Sequence, residues 1–180
     1  MRVKPLQTPS IKRPLVFLNL EIDALYNHYV PCYNYGLLSE FEKIVLALED
    51  RRYFKHYGID LKSIVREGVK ALTFRRHGGA STINMQFVRT VNARRELTYA
   101  RKLREMLISL ITNYHFDKKA MLRSYLECAF FGSGLIGAER TAWALFGTWP
   151  GNLRDMQAAQ LAAMLVYPNR SSRPSAGWKE

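Results

Sequence analysis

The chain has 180 residues, 48% hydrophobic and 23% charged, with 27 Lys+Arg against 15 Asp+Glu for a net charge of +12. That length suits one domain able to bury most of its apolar surface without disulfides or metals, and the charge calls for an anionic partner or surface. Two cysteines, Cys32 and Cys128, exclude a disulfide framework and offer no C-x-x-C pair for zinc or redox chemistry.

Residues 1–38, with Pro5, Pro9, Pro14 and Pro31, alternate short apolar runs with Tyr26, His28, Tyr33 and Tyr35 and show no helical period. They read as an N-terminal arm packed on the domain that follows, residues 39–168. Ser39-Glu40-Phe41-Glu42 is a capping box, so a helix starts at about Glu40. Phe41, Ile44, Val45 and Leu48 recur at helical spacing and place Glu49 at the far end. Asp60 caps a second helix with Leu61, Ile64, Val65, Val69 and Leu72 on one stripe. A basic turn, Arg75 to Gly79, leads to a helix over Ala80 to Arg89 whose first turn carries hydroxyls and amides.

From about Leu97 a long helix shows the stripe Leu97, Ala100, Leu103, Leu107, Leu110, Ile111 and Tyr114, with Arg101, Lys102 and Glu105 on another face. Asp117 caps the next helix, with Met121, Leu122, Tyr125 and Leu126 inward, and Phe131-Gly132-Ser133-Gly134 breaks it. A short helix from Ala138 reaches Phe146-Gly147, and a last one spans about Leu153 to Val166 before a polar tail, residues 169–180. No run alternates with period two over a useful length, so the fold class is all-α. The longest apolar stretches fall short of the roughly 18 residues that span a bilayer. The N-terminus lacks an apolar core and cleavage site, so neither a transmembrane helix nor a secretory leader is expected within the chain.

The densest chemistry lies in Glu49-Asp50-Arg51-Arg52-Tyr53-Phe54-Lys55-His56. A partly desolvated carboxylate at a helix end beside a turn could serve as a general base; pairing of Glu49 and Asp50 with Arg51, Arg52 or Lys55 is the commoner arrangement for such residues. Gly78-Gly79-Ala80-Ser81-Thr82 joins a glycine turn to a helix start, where free N–H groups favour an anion, although no P-loop lysine follows. Arg101, Lys102 and Glu105 form either a pyrophosphate clamp with a second carboxylate or a salt-bridged helix face. His28, His56, His77 and His115 have no metal-ligand spacing, and no S-x-x-K or K-T-G of an acyl enzyme occurs.

In order and spacing these signals resemble the peptidoglycan glycosyltransferase (transglycosylase) family, found in class A penicillin-binding proteins and monofunctional transglycosylases. Glu49-Asp50-x-x-Tyr53-x-x-His56-x-Gly58-x-Asp60 is similar to the family's E-D-x-x-F-x-x-H-x-G-x-D, and Gly79 to Gln86 to its G-G-S-T-I-T-Q-Q. Arg101-Lys102-x-x-Glu105 resembles R-K-x-x-E, Tyr125-Leu126 with Phe131-Gly132 resembles Y-L-N…F-G, and Phe146-Gly147 resembles Y-F-G-K. Tyr53, Met85, Arg89, Glu127 and Thr148 depart from the family's residues.

The resemblance implies a lysozyme-like helical domain with a smaller membrane-facing jaw. It implies polymerisation of lipid II into β-1,4-linked glycan with release of undecaprenyl pyrophosphate. Glu49 would be the base that deprotonates the acceptor 4-hydroxyl, with inversion at the donor carbon. Glu105, Arg101 and Lys102 would stabilise the leaving pyrophosphate, Ser81, Thr82 and Gln86 would line the donor side, Arg89 would be a further substrate-binding residue, and Asp50 and His56, also counted as substrate-binding, would shape the hydrogen bonds of Glu49 and the cleft. No cofactor is required and no metal site is identified; Mg²⁺ on the substrate pyrophosphate is left open by the family.

The implied partners are lipid II, the growing glycan and an anionic membrane surface, with no nucleic acid. The implied place is peripheral, at the outer face of the bacterial cytoplasmic membrane. The membrane would be reached through basic residues and an apolar patch near Leu72 to Phe74, or through a cell-wall synthesis partner that supplies an anchor. The alternatives are a non-catalytic binder of lipid-linked precursors and a glycan-cleaving muramidase; the R-K-x-x-E clamp argues against the second, since cleaving polymer needs no such clamp.

Overall fold

A computed structural model of the chain describes residues 12–28, 36–72, 79, 81–93 and 98–168. Eight α-helices appear among them: α1 Lys12–His28, α2 Glu40–Glu49, α3 Leu61–Leu72, α4 Ile83–Val91, α5 Tyr99–His115, α6 Lys118–Cys128, α7 Ala138–Phe146 and α8 Asp155–Val166. Two short strands, β1 Phe130–Gly132 and β2 Leu135–Ile136, pair antiparallel between α6 and α7. The described part is all-α in class.

Local sequence explains most helix starts. Ser39 and Glu42 close the capping box of α2, with Ser39 N donating to Glu42 Oε2 at 2.8 Å and Glu42 N to Ser39 Oγ at 3.2 Å. Asp60 accepts from Lys62 N and Ser63 N ahead of α3, and Asp117 from Lys119 N and Ala120 N ahead of α6. Gly147, at φ 64°, supplies the left-handed residue that ends α7.

The core forms where α2 packs on α8 and where α4 lies against both α5 and α6. Phe41, Val45 and Leu46 of α2 meet a face of α8 built from Ala158, Leu161, Ala162 and Leu165, whose alanines let the two axes approach closely. Helix α4 is nearly enclosed, with Ile83, Asn84, Met85, Phe87 and Val88 all buried.

Several expectations change. The stretch read as lacking helical period contains α1, whose Leu18, Ile22 and Leu25 recur at helical spacing on the core side; the prolines and tyrosines around it mask that period. Helix α4 starts at Ile83, three residues later than expected, because Thr82 caps it. On α2 the inward face carries Leu46, while Leu48 is half exposed.

The structure also decides which way the stripes of α5 and α3 face. The α5 stripe lies outward, with Leu103, Leu107, Leu110 and Tyr114 exposed, while Glu105, Ile108, Ser109 and Thr112 are buried. Leu61, Val65 and Val69 of α3 are exposed too. Periodicity finds an apolar face but not what covers it. The start of α5 at Leu97, the basic turn Arg75 to Gly78, the patch at Thr73 and Phe74, Tyr33, Tyr35, Cys32, the first eleven residues and the tail 169–180 lie outside the described residues.

Candidate active site

Helix α2 delivers Glu49 at its last turn and stops at Asp50, whose N–H still donates to Leu46 O. The chain then tightens through a 3₁₀ turn, Tyr53–Lys55, that carries His56 back to Asp50. His56 Nε2 donates to the Asp50 carboxylate at 3.0 and 3.1 Å, and Ile83 N at the start of α4 donates to Asp50 Oδ2 at 3.1 Å. Both side chains are buried. Asp50 therefore ties the end of α2 to the start of α4, and His56 is its support rather than a wall of the cleft.

Gly58, at φ +90°, lets the chain lie directly on α5; a Cβ there would sit 2.2 Å from Ser109 O. The carbonyl of Gly58 accepts from Thr82 Oγ1 at 2.6 Å, and the same hydroxyl accepts from Met85 N at 3.3 Å. Thr82 is thus a buried cap that fixes the cleft floor.

Glu49 is held from α4 and α6. Gln86 Nε2 donates to Glu49 Oε2 at 2.6 Å, and Tyr125 Oη donates to Gln86 Oε1 at 2.7 Å. With both ends of its amide engaged, Gln86 can turn only its donor to Glu49. Burial, and then the Glu49 charge, push the Tyr125 phenol well above its ordinary range, so it stays a donor. Tyr53, the aromatic departure from the family pattern, is buried; its hydroxyl donates to Lys118 O at 2.8 Å and the Lys118 ammonium lies 4.3 Å from its ring centre. Burial lowers the Lys118 amine to about 8, against the opposing pull of Asp50.

Glu49 and Asp50 line a cleft of about 570 Å³ together with Ser81 and Thr82. The rest of its wall is largely cationic: Arg51, Arg52, Arg66 and Lys70, with Asp60 paired to Arg52 at 3.5 Å. Hydrogen bonds from Ser63 and from the backbone of Ser63 and Lys62, with the charge of Arg52, outweigh burial and hold the Asp60 carboxyl below its ordinary value. Ser63, Arg66 and Lys70 were not singled out from the sequence. Their spacing of three and four places them on one helical face, and that signal was available.

Lys102 connects this cleft to α5. Its Nζ donates to Ser81 Oγ at 2.9 Å and to Glu105 Oε2 at 3.2 Å, while Arg101 Nη1 pairs with Glu105 Oε1. Glu105 is buried, and burial lowers the Lys102 amine despite Glu105, with Arg89 and Arg101 adding to the effect. Arg89, Arg101 and Glu105 share a cavity of about 10 Å³, room for roughly one water. The sequence-predicted residues thus fall into two linked groups: Glu49, Asp50, Ser81 and Thr82 at the cleft, with Gln86 bonded to Glu49 and His56 to Asp50, and Arg89, Arg101, Lys102 and Glu105 beside it. Met85, where the resembled motif has Gln, is 1% exposed and belongs to the core. A larger groove of about 690 Å³ at the other end of α2, lined by Phe41, Glu127 and Trp149 among others, contains none of the predicted site residues.

The transglycosylase family model matches residues 24–179. Among relatives, penicillin-binding protein 1A of Aquifex aeolicus is 38% identical over 124 residues, 68% of this chain and 17% of that protein. The biosynthetic peptidoglycan transglycosylase of Vibrio parahaemolyticus is 35% identical over 126 residues, 70% of this chain and 56% of that one. Its counterpart in Nitrosomonas eutropha is 34% identical over 131 residues, 72% and 54% of the two chains. The matched part thus spans about half the length of the biosynthetic relatives. With the family model covering most of the sequence, the chain belongs to the transglycosylase family.

Proposed function

We propose that the chain polymerises lipid II into β-1,4-linked glycan, with Glu49 as the general base. One observation carries the reading. A half-buried carboxylate, held by Gln86, which Tyr125 fixes in turn, stands on the wall of a cleft that also carries the cations Arg51, Arg52, Arg66 and Lys70. Glu49 takes the proton of the acceptor 4-hydroxyl as that oxygen bonds to the donor anomeric carbon. The carbon–oxygen bond to the pyrophosphate breaks, the electron pair leaves with undecaprenyl pyrophosphate, and the carbon inverts in one displacement. Arg101 and Lys102, oriented by Glu105 and Ser81, stabilise the charge that develops on the leaving group.

No cofactor enters this scheme. The carboxylates do not fit a resident divalent ion: Asp50 is engaged by His56 and Ile83 N, Asp60 by Ser63, Lys62 N and Arg52, and no group of three ligating side chains occurs among the described residues. The leaving charge is met by fixed cations instead.

The donor's lipid tail requires contact with a bilayer. No helix among the described residues is long and apolar enough to cross one. The exposed apolar faces of α3 and α5, with Arg66 and Lys70 beside the former, suit peripheral attachment to an anionic membrane at its outer leaflet. Incubation with labelled lipid II in liposomes tests the reading: glycan polymer is expected from the native chain and is expected to vanish in Glu49→Gln. Retained lipid II binding without polymer from the native chain would instead indicate a precursor-binding module, and polymer surviving Glu49→Gln would remove Glu49 from its role.

A further inference from the structure

We infer that Glu21, on α1 and upstream of the stretch matched by the family model, is a positioning residue that keeps the cations around Glu105 correctly paired. The kinetic consequence rests on the glycosyl-transfer reading; the structural one does not. Glu21 is 8% exposed, and its Oε2 accepts from Arg104 Nε at 2.5 Å. Leu18, Ile22 and Leu25 share the face of Glu21 and dock α1 on α4 and α5. Arg104 directly precedes Glu105, and both line the small cavity shared with Arg89 and Arg101.

Cations outnumber carboxylates in this corner. Arg89, Arg101, Lys102 and Arg104 surround Glu105 and Glu21, and the structure divides them: Glu105 takes Arg101 and Lys102, while Glu21 takes Arg104. Arg104 Nη2 is buried with no hydrogen-bond partner, so the guanidinium has a donor ready for a second acceptor. A part-buried guanidinium left without its counter-charge is costly, and Glu105 is the other carboxylate at the same cavity. Without the Glu21 charge, Arg104 turns to Glu105 and displaces Arg101 or Lys102. The Lys102 bond to Ser81 at the cleft is then disturbed. Glu21 acts on the leaving-group cations through Arg104, without touching substrate.

The test uses the full chain with Glu21→Leu, Arg104→Gln, their double variant and Glu21→Leu/Glu105→Leu, in which leucine leaves no acceptor behind. In ¹H–¹⁵N NMR the Arg104 Nε–H is expected to be protected from exchange in the native chain and in Glu21→Leu, where Glu105 becomes its partner. That protection is expected to disappear in Glu21→Leu/Glu105→Leu. In lipid II polymerisation, Glu21→Leu is expected to lower kcat about tenfold with KM within about twofold, and adding Arg104→Gln to restore kcat to within about threefold, the sign of a coupled pair. Leu153→Ala removes core packing away from α1 and is expected to lower Tm while leaving kcat near native below that Tm. Protection lost in Glu21→Leu alone, a double variant no better than Glu21→Leu, or a kcat loss reproduced by Leu153→Ala would each overturn the inference. A native chain that makes no polymer would defeat the glycosyl-transfer reading alone, and the NMR arm would still decide this one.

Discussion

Helices α6 and α5 carry apolar stripes of similar clarity, yet they use them in opposite ways. Met121, Leu122, Tyr125 and Leu126 of α6 are all buried, whereas Leu103 of α5 is 66% exposed and Tyr114 87%. What α5 buries is Glu105, Ile108, Ser109 and Thr112. The charge network of the candidate site occupies the inward face of α5, and its apolar face is exposed among the described residues. Helix α3 repeats the pattern: Glu67 is buried while Leu61, Val65 and Val69 are exposed. Among the described residues α6 spends its apolar stripe on the core, whereas α3 and α5 keep theirs outward, the arrangement that the proposed membrane attachment would use.

That contrast can be broken most sharply inside the body. Glu49→Gln removes the proposed base and is expected to lower polymerisation by about 10³-fold, within the 10²–10⁴ range of such groups, with thermal unfolding nearly unchanged. Gly58→Ala forces a Cβ onto Ser109 O at a positive φ and is expected to destabilise by about 3 kcal/mol or more, read from urea unfolding. Tyr125→Phe leaves Gln86 Oε1 without its donor, at a cost of about 1–2 kcal/mol, and frees the amide to flip away from Glu49. Its expected signature is a polymerisation loss without loss of lipid II binding.

A smaller effect separates charge from packing at Tyr53. The Lys118 amine is depressed to about 8 from an ordinary 10.5. Between those values the unfolded chain holds the proton more tightly than the folded one, so stability rises with pH across that window. The gain is expected to be about 1 kcal/mol after screening by solvent, and Lys118→Met should abolish it. The smallest folding effect is expected on the outer face. Leu103→Ser with Leu107→Ser should change unfolding free energy by no more than about 0.5 kcal/mol. Co-sedimentation with anionic vesicles should fall several-fold; a large loss of stability instead would show that this face is covered by the chain itself.

Much of the site was legible in the sequence because its residues sit at helix ends. A capping box fixes where α2 begins and therefore where Glu49 falls, and the i, i+1 and i+4 spacing of Arg101, Lys102 and Glu105 fixes a cluster whichever way α5 faces. The caps Ser39, Asp60 and Asp117 act through bonds to their own neighbours, so local sequence was enough. Only the tertiary structure decided that Gln86 and Tyr125 support Glu49, that Thr82 serves as a cap under Gly58, and that α5 turns its leucines outward. Those contacts join residues tens of positions apart, and their partners depend on how helices pack. A side chain's spacing along a helix sets the face it shares; the neighbouring helices set whether that face meets core, cleft or an outside surface.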